Sequence, residues 1–204
     1  MKVVVGLGNP GREYERTPHN VGFLTVEALA GRLACRMRAS GRFRALVGTA
    51  AHAGQDILLV EPQTYMNASG QSVGAIVQYR KLTPDDVLVV VDDADLPLGT
   101  LRIRKQGSSG GHRGLTSIAA ALGTDAYGRV RIGIGRGDGR RDLVDHVLSA
   151  FTATEWKTVQ AVTDEAAEAV LCAGECGIET AMNRYNARRQ DPLDAAETSA
   201  GGKA

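Results

Sequence analysis

The chain has 204 residues, 43% of them hydrophobic and 23% charged, with a formal net charge of +1. These are the proportions of an ordinary soluble globular protein, long enough to bury a core and naturally read as one domain. They exclude a surface coated for nucleic acid, and no apolar run approaches the roughly 20 residues of a membrane-crossing helix, so the expected location is the cytoplasm.

Residues 3–5, all valine, read as a buried strand ending at Gly6, too short an apolar run for a signal peptide. Residues 21–33 carry apolar side chains at helical spacing, and Asn20 stands where a helix cap belongs. Residues 45–51 and 57–60 read as two strands joined by a turn at Gly54-Gln55-Asp56. Residues 69–80 form a helix in which Gly70 and Gly74 permit a neighbour to approach closely. An unbroken apolar run at 87–91 opens onto Asp92-Asp93, the pattern of a central strand covered on both faces. Residues 101–105 and 130–134 alternate, with basic side chains at the polar positions, and a helix begins between them near His112. Thr152 to Glu155 fits a capping box that opens one long helix to about residue 188. From Gln190 onward the Pro, Asp, Ser and Gly content predicts a disordered tail, 190–204, behind a domain spanning 1–189. Strands alternating with helices, plus one hairpin, predict a single three-layer α/β/α domain with a mixed, mostly parallel central sheet.

Charge is unevenly spread. From Arg102 to Arg141 nine Lys or Arg stand against two acids, a net of +7, which leaves −6 for the rest of the chain. One basic face follows, and a polyanion is the partner that suits it. Cys35, Cys172 and Cys176 cannot all pair within one chain and have no His or acidic cluster beside them, so they read as packing thiols.

Four polar islands interrupt the apolar segments, at 8–11, 17–20, 64–70 and 92–114. Each couples a Gly or Pro that bends the backbone to an Asn, His or Asp, as in a site assembled from loops on a rigid scaffold. The first lies in Gly6-Leu7-Gly8-Asn9-Pro10-Gly11, a G-x-G-x-x-G match straight after a strand. A dinucleotide site needs a helix that starts inside the motif; here Pro10 removes an amide donor and residues 12–18 lack apolar periodicity. The loop more economically places the Asn9 side chain. His19 is fixed by Pro18 and precedes a helix, and an imidazole's ordinary pKa of about 6.5 suits it to act as a neutral base. Asp92, at the mouth of the central strand, is the acid best placed to fix its tautomer. Asp93 and Asp95 read as turn or cap residues, and Ser69 as a helix cap. Ser108 and Ser109 lie in a glycine-rich loop, so no serine has the setting of a nucleophile. Direct attack by a His-activated water is the simpler chemistry, with Asn9 and Asn67 as neutral amides for the developing oxyanion. No cluster of His, Cys and carboxylate has metal spacing, and no metal or cofactor is expected.

Taken together, in order and spacing, Gly6-Leu7-Gly8-Asn9-Pro10-Gly11, His19-Asn20-Val21-Gly22, Pro62-Gln63-Thr64-Tyr65-Met66-Asn67-Ala68-Ser69-Gly70, Asp92-Asp93-Ala94-Asp95-Leu96-Pro97-Leu98-Gly99, Gly110-Gly111-His112 and Arg131-Ile132-Gly133-Ile134-Gly135 resemble bacterial-type peptidyl-tRNA hydrolase. The resemblance runs from Lys2 to about Arg188. It implies cleavage of the ester between a nascent peptide and the 3′ ribose of tRNA, which recycles tRNA from aborted translation. It implies His19 as the base, Asp92 as its orienting acid, and Asn9 and Asn67 on the peptide and the reacting carbonyl. Tyr65 and Met66 belong to the same substrate-binding motif, and Tyr14 to the place where the tRNA end lies. His112 falls in the segment that covers the cleft, while Arg102, Arg104, Lys105 and Arg131 form the basic surface for tRNA. A monomer without cofactor is implied. Two positions depart from the pattern. The family usually has Asn after Gly-Gly-His, where this chain has Arg113; a guanidinium cannot accept a hydrogen bond, so the amide's role is lost or moved, and contact with a tRNA phosphate is the expectation instead. Pro18 replaces an Arg often found before the His, which removes one basic contact.

Two other readings compete. A non-catalytic RNA-binding relative, of the kind found among chloroplast group II intron splicing factors, would not need His19, Asp92, Asn9 and Asn67 together. An esterase for small acyl substrates would leave the +7 segment unused.

Overall fold

The computed structural model describes residues 2–137 and 142–186; the tail from Gln190, and Arg140 and Arg141 of the basic segment, lie outside the described residues. Among the described residues seven strands form one sheet: β1 (Val3–Gly6), β2 (Arg38–Ser40), β3 (Ala45–His52), β4 (Gln55–Pro62), β5 (Val87–Asp93), β6 (Leu101–Arg104) and β7 (Gly128–Gly133). Their order is β2-β3-β4-β1-β5-β7-β6. The central four, β4, β1, β5 and β7, run parallel, with Val5 paired to both Val60 and Val89. The flanking strands β2, β3 and β6 are antiparallel to their neighbours, so the sheet is mixed as expected.

Among the described residues six α-helices cover it: α1 (Val21–Arg32), α2 (Ser69–Arg80), α3 (Arg113–Leu122), α4 (Leu143–Leu148), α5 (Ala153–Cys176) and α6 (Ile178–Asn186). Strand side chains alternate between faces, and that period divides the core in two. Val4, Leu59, Leu88, Val90, Val130 and Ile132 pack beneath α1, α5 and α6. Val3, Val5, Leu58, Val60, Val87, Val89 and Val91 pack beneath α2 and α3. Every residue of β5 is buried, as its unbroken apolar run requires.

The glycines at the end of β1 and the start of α1 serve packing. A Cβ on Gly6 would lie 2.2 Å from the Gly22 carbonyl oxygen, and one on Gly22 would lie 2.4 Å from the Leu7 nitrogen. The start of α1 is thereby pressed onto the end of β1, and no α-helix begins inside the G-x-G-x-x-G stretch, which passes into a single 3-10 turn at Arg12–Tyr14.

Five details differ from the sequence reading. Strand β2 and helix α4 were not expected; at three and six residues they are too short to show a period. The capping box at Thr152 and Glu155 is present, but the helix it opens stops at Gly177, whose φ of 87° lies in the left-handed region, and a separate α6 follows. Ser69 does not cap α2; its hydroxyl donates to the Met66 carbonyl. Asn20 does not cap α1 either, because its side chain is engaged elsewhere. Among the described residues no helix is long and apolar enough to cross a membrane.

Candidate active site

Parallel strands in such sheets end in a crevice at their carboxyl edge, and the polar islands converge there. Asp92 shares its side of β5 with Leu88 and Val90, the side that α1 covers, and the 3-10 turn Pro18–Asn20 carrying His19 leads directly into α1. The strand period and the helix entry thus bring two residues 73 positions apart into contact. His19 Nδ1 lies 3.0 and 2.9 Å from the two carboxylate oxygens of Asp92. His112, at the N-cap of α3, places its Nε2 2.9 Å from Asp92 Oδ1.

The backbone assigns the protons. His112 Nδ1 accepts from the amides of Gly114 and Leu115, at 3.2 and 3.3 Å, so this nitrogen carries no hydrogen in the neutral ring. Its proton sits on Nε2 and is donated to Asp92. Asp92 is an acceptor, so His19 donates from Nδ1 and keeps Nε2 as its basic nitrogen. Burial, at 6% exposure, would push the Asp92 carboxyl up, but the two imidazoles outweigh it and hold the group well below the usual carboxylate range. His112 is therefore a buttress for Asp92, a contact that nothing in the local sequence signals. The donor atoms of His19, Asp92 and His112 also fall within 4.8 Å of one another, the spacing of a metal site. Both ring N–H groups point at the carboxylate, however, and an ion would have to displace those protons. The residues as placed form a hydrogen-bonded triad.

Asn9 is held by its neighbours. Its backbone N–H donates to Asn20 Oδ1 at 2.9 Å, and its carbonyl accepts from Asn20 Nδ2 at 3.0 Å. Its side-chain Oδ1 accepts from the Met66 amide at 2.8 Å, which fixes the side chain's orientation and leaves its NH₂ end to donate to a ligand. Asn20 is the clamp that sequence reasoning missed; an Asn before a helix carries the same signal whether it caps or clamps.

These groups line a cavity of about 510 Å³. Of the residues singled out from sequence, Asn9, Tyr14, His19, Tyr65, Met66, Asn67, Asp92, His112 and Arg113 all line it. Met66 is buried, whereas Tyr65 is 64% exposed and Asn67 sits at the surface. Arg113, the first residue of α3, is exposed at the rim. One wall was not anticipated: Leu143, Val144, Val147 and Leu148 of α4, with Arg136, which pairs with Asp95. Helix α4 packs against the turn carrying His19.

Of the basic residues expected to meet tRNA, Arg102, Arg104, Lys105 and Arg131 fall outside this cavity. Arg102 and Arg104 lie on β6, at the sheet edge, and Arg104 is exposed. Lys105 follows and reaches Glu179 at 3.2 Å. Arg131 forms an ion pair with buried Asp93 at 2.7 Å, so part of its charge is answered within the chain. Arg129, counted in the basic segment, is only 2% exposed. It stacks over Tyr127 and donates to the carbonyls of Gly107, Ser108 and Asp125, anchoring the glycine-rich loop that leads to His112.

Fold and site together define an α/β protein with a hydrogen-bonded His–Asp–His group in a crevice at the carboxyl edge of its parallel strands. Residues 3–192 match the family model described as peptidyl-tRNA hydrolase. A peptidyl-tRNA hydrolase of a Synechococcus strain is 46% identical over 194 residues, covering 95% of this chain and 84% of that protein. One from a Synechocystis strain is 46% identical over 187 residues, covering 92% and 96%. The crystal structure of peptidyl-tRNA hydrolase from Acinetobacter baumannii superposes with a TM-score of 0.87 at 34% identity, covering 92% of this chain and 95% of that one. The chain belongs to the peptidyl-tRNA hydrolase family.

Proposed function

We propose that His19 is the base that activates water in the hydrolysis of peptidyl-tRNA by this chain. As a member of its family the chain is a hydrolase of peptidyl-tRNA, and the observation that carries the residue assignment is Asp92 accepting from both His19 and His112. With Nδ1–H turned to Asp92, His19 Nε2 takes a proton from water as the water oxygen attacks the ester carbonyl. The Asn9 NH₂ group donates to the oxyanion that forms. As the tetrahedral adduct collapses, the proton passes from His19 to the departing 3′ oxygen of the ribose, and the free peptide carboxyl and tRNA leave. His112 does not touch the reacting atoms in this scheme; it holds Asp92.

Tyr14, Tyr65, Met66, Asn67 and Arg113 surround the peptide and the acceptor end of tRNA, with Arg113 against a phosphate. Arg102, Arg104, Lys105 and Arg131 meet phosphates further along. The enzyme acts as a cytoplasmic monomer. The test is release of an N-blocked aminoacyl group from tRNA, compared with hydrolysis of a small neutral ester across a salt series. Release from tRNA that falls steeply with salt, against little turnover of the small ester, is the expected outcome. Equal turnover of both, insensitive to salt, would make the protein a general esterase.

A further inference from the structure

A second cavity, of about 470 Å³, lies beside the loop after β1, and Asn9 is the residue common to both cavities. Ile57, Leu59 and Glu61 share one side of β4; the first two enter the core under α1 and α5, and Glu61 continues the row at the strand's open end. Glu61 is 3% exposed, lines this cavity, and has no hydrogen-bond partner for its Oε1. Native folds leave few buried polar atoms in that state. Glu27 of α1 and Glu15 line the same space, with Arg12 and Arg16 as its other charged groups. Arg16 is held over the Trp156 ring, and among the described residues no ion pair joins either arginine to the three acids. Phe23, Leu24, Leu46 and Trp156 supply apolar walls.

We propose that this cavity binds an aliphatic ammonium compound, with Glu61 and Glu27 as its anionic partners and the apolar walls against its methylenes. A bare divalent ion fits less well. Among the described residues, the His19, Asp92 and His112 group alone brings three or more such donors close enough to share an ion, so the three carboxyls here do not converge as a ligand set. An extended organic cation can meet acids at different points of the lining and uses the apolar surface as well. Burial and the neighbouring Glu27 push the Glu61 carboxyl up to about 8, and burial and Glu15 raise Glu27. At neutral pH the unliganded site therefore holds a proton on Glu61. When the ammonium enters, that proton passes to the solvent and a carboxylate–ammonium pair replaces it.

Calorimetric titration of the full chain with 1,4-diaminobutane tests this, at pH 7 and fixed ionic strength, in phosphate and in Tris. The expected result is saturable one-to-one binding whose enthalpy differs between the buffers by the release of up to one proton. Glu61→Gln keeps the shape, removes the proton release and weakens binding at least about tenfold. Glu27→Gln weakens binding while proton release persists. Because the Gln variant relieves a buried acid, it folds, and its binding curve is interpretable. Absence of saturable binding to the natural chain, or equal affinity in Glu61→Gln, overturns the proposal. So does tighter binding of magnesium ion than of the diamine.

Discussion

Asp92 accepts from two histidines, and the backbone amides on His112 decide which proton goes where. In Asp92→Asn the amide could satisfy one ring only by donating to it, which would favour the wrong His19 tautomer. We expect kcat to fall by about 10²-fold or more with tRNA affinity little changed; a loss confined to KM would place Asp92 in binding instead. A second buried carboxyl carries the opposite shift. Glu61 rises from an ordinary 4.5 to about 8 on folding. Between those values the unfolded chain gives up a proton that the folded chain keeps, so stability is greatest below the lower value and is lost as pH rises through the upper one. Glu61→Gln should remove that slope, gaining about 3–4 kcal/mol relative to the natural chain between pH 5 and pH 8. Denaturant melts of both proteins at the two pH values check it, and parallel pH profiles would show that Glu61 is not buried as described.

Helices α2 and α3 meet at Gly70, where a Cβ would lie 2.0 Å from the Ser117 carbonyl oxygen, and where the Gly70 amide donates to Ser117 Oγ. The obstacle is backbone, so the helices must part. Gly70→Ala should cost about 1–3 kcal/mol and lower activity as well, since Met66 precedes one helix and His112 caps the other; a melting temperature unchanged from the natural chain would contradict this. That close approach was readable from the sequence, because two glycines on one helix have few other uses. The same holds for β5, whose five apolar residues admit only a central position, and for the capping box at Thr152. Legibility ended where the signal was short or non-local. A three-residue edge strand and the six-residue α4 have no measurable period, yet α4 walls the candidate site. Asn9, His19 and Asp92 stood out by residue type and flanking turns. The bonds from Asn20 to Asn9 and from His112 to Asp92 join separate elements, so only the folded chain displays them.

Across the whole molecule the basic segment divides between interior and edge. Arg129 is consumed in anchoring a loop and Arg131 is paired with Asp93, whereas Arg102 and Arg104 remain on the edge strand β6. Replacing Arg102 and Arg104 with Gln should raise KM for peptidyl-tRNA and leave kcat near its natural value. The salt dependence should flatten by about one unit of slope for each phosphate that is no longer neutralised. An unchanged slope would move the tRNA surface elsewhere. In the proposed mechanism catalysis turns on His19, held where the sheet ends by a carboxylate that also accepts from His112. The most direct measurement is single-turnover release of an N-blocked aminoacyl group from tRNA by His19→Ala, with tRNA binding measured on the same preparation. We predict a rate reduced by at least about 10²-fold with affinity within about twofold of the natural chain. Release at the natural rate by that variant would contradict the mechanism.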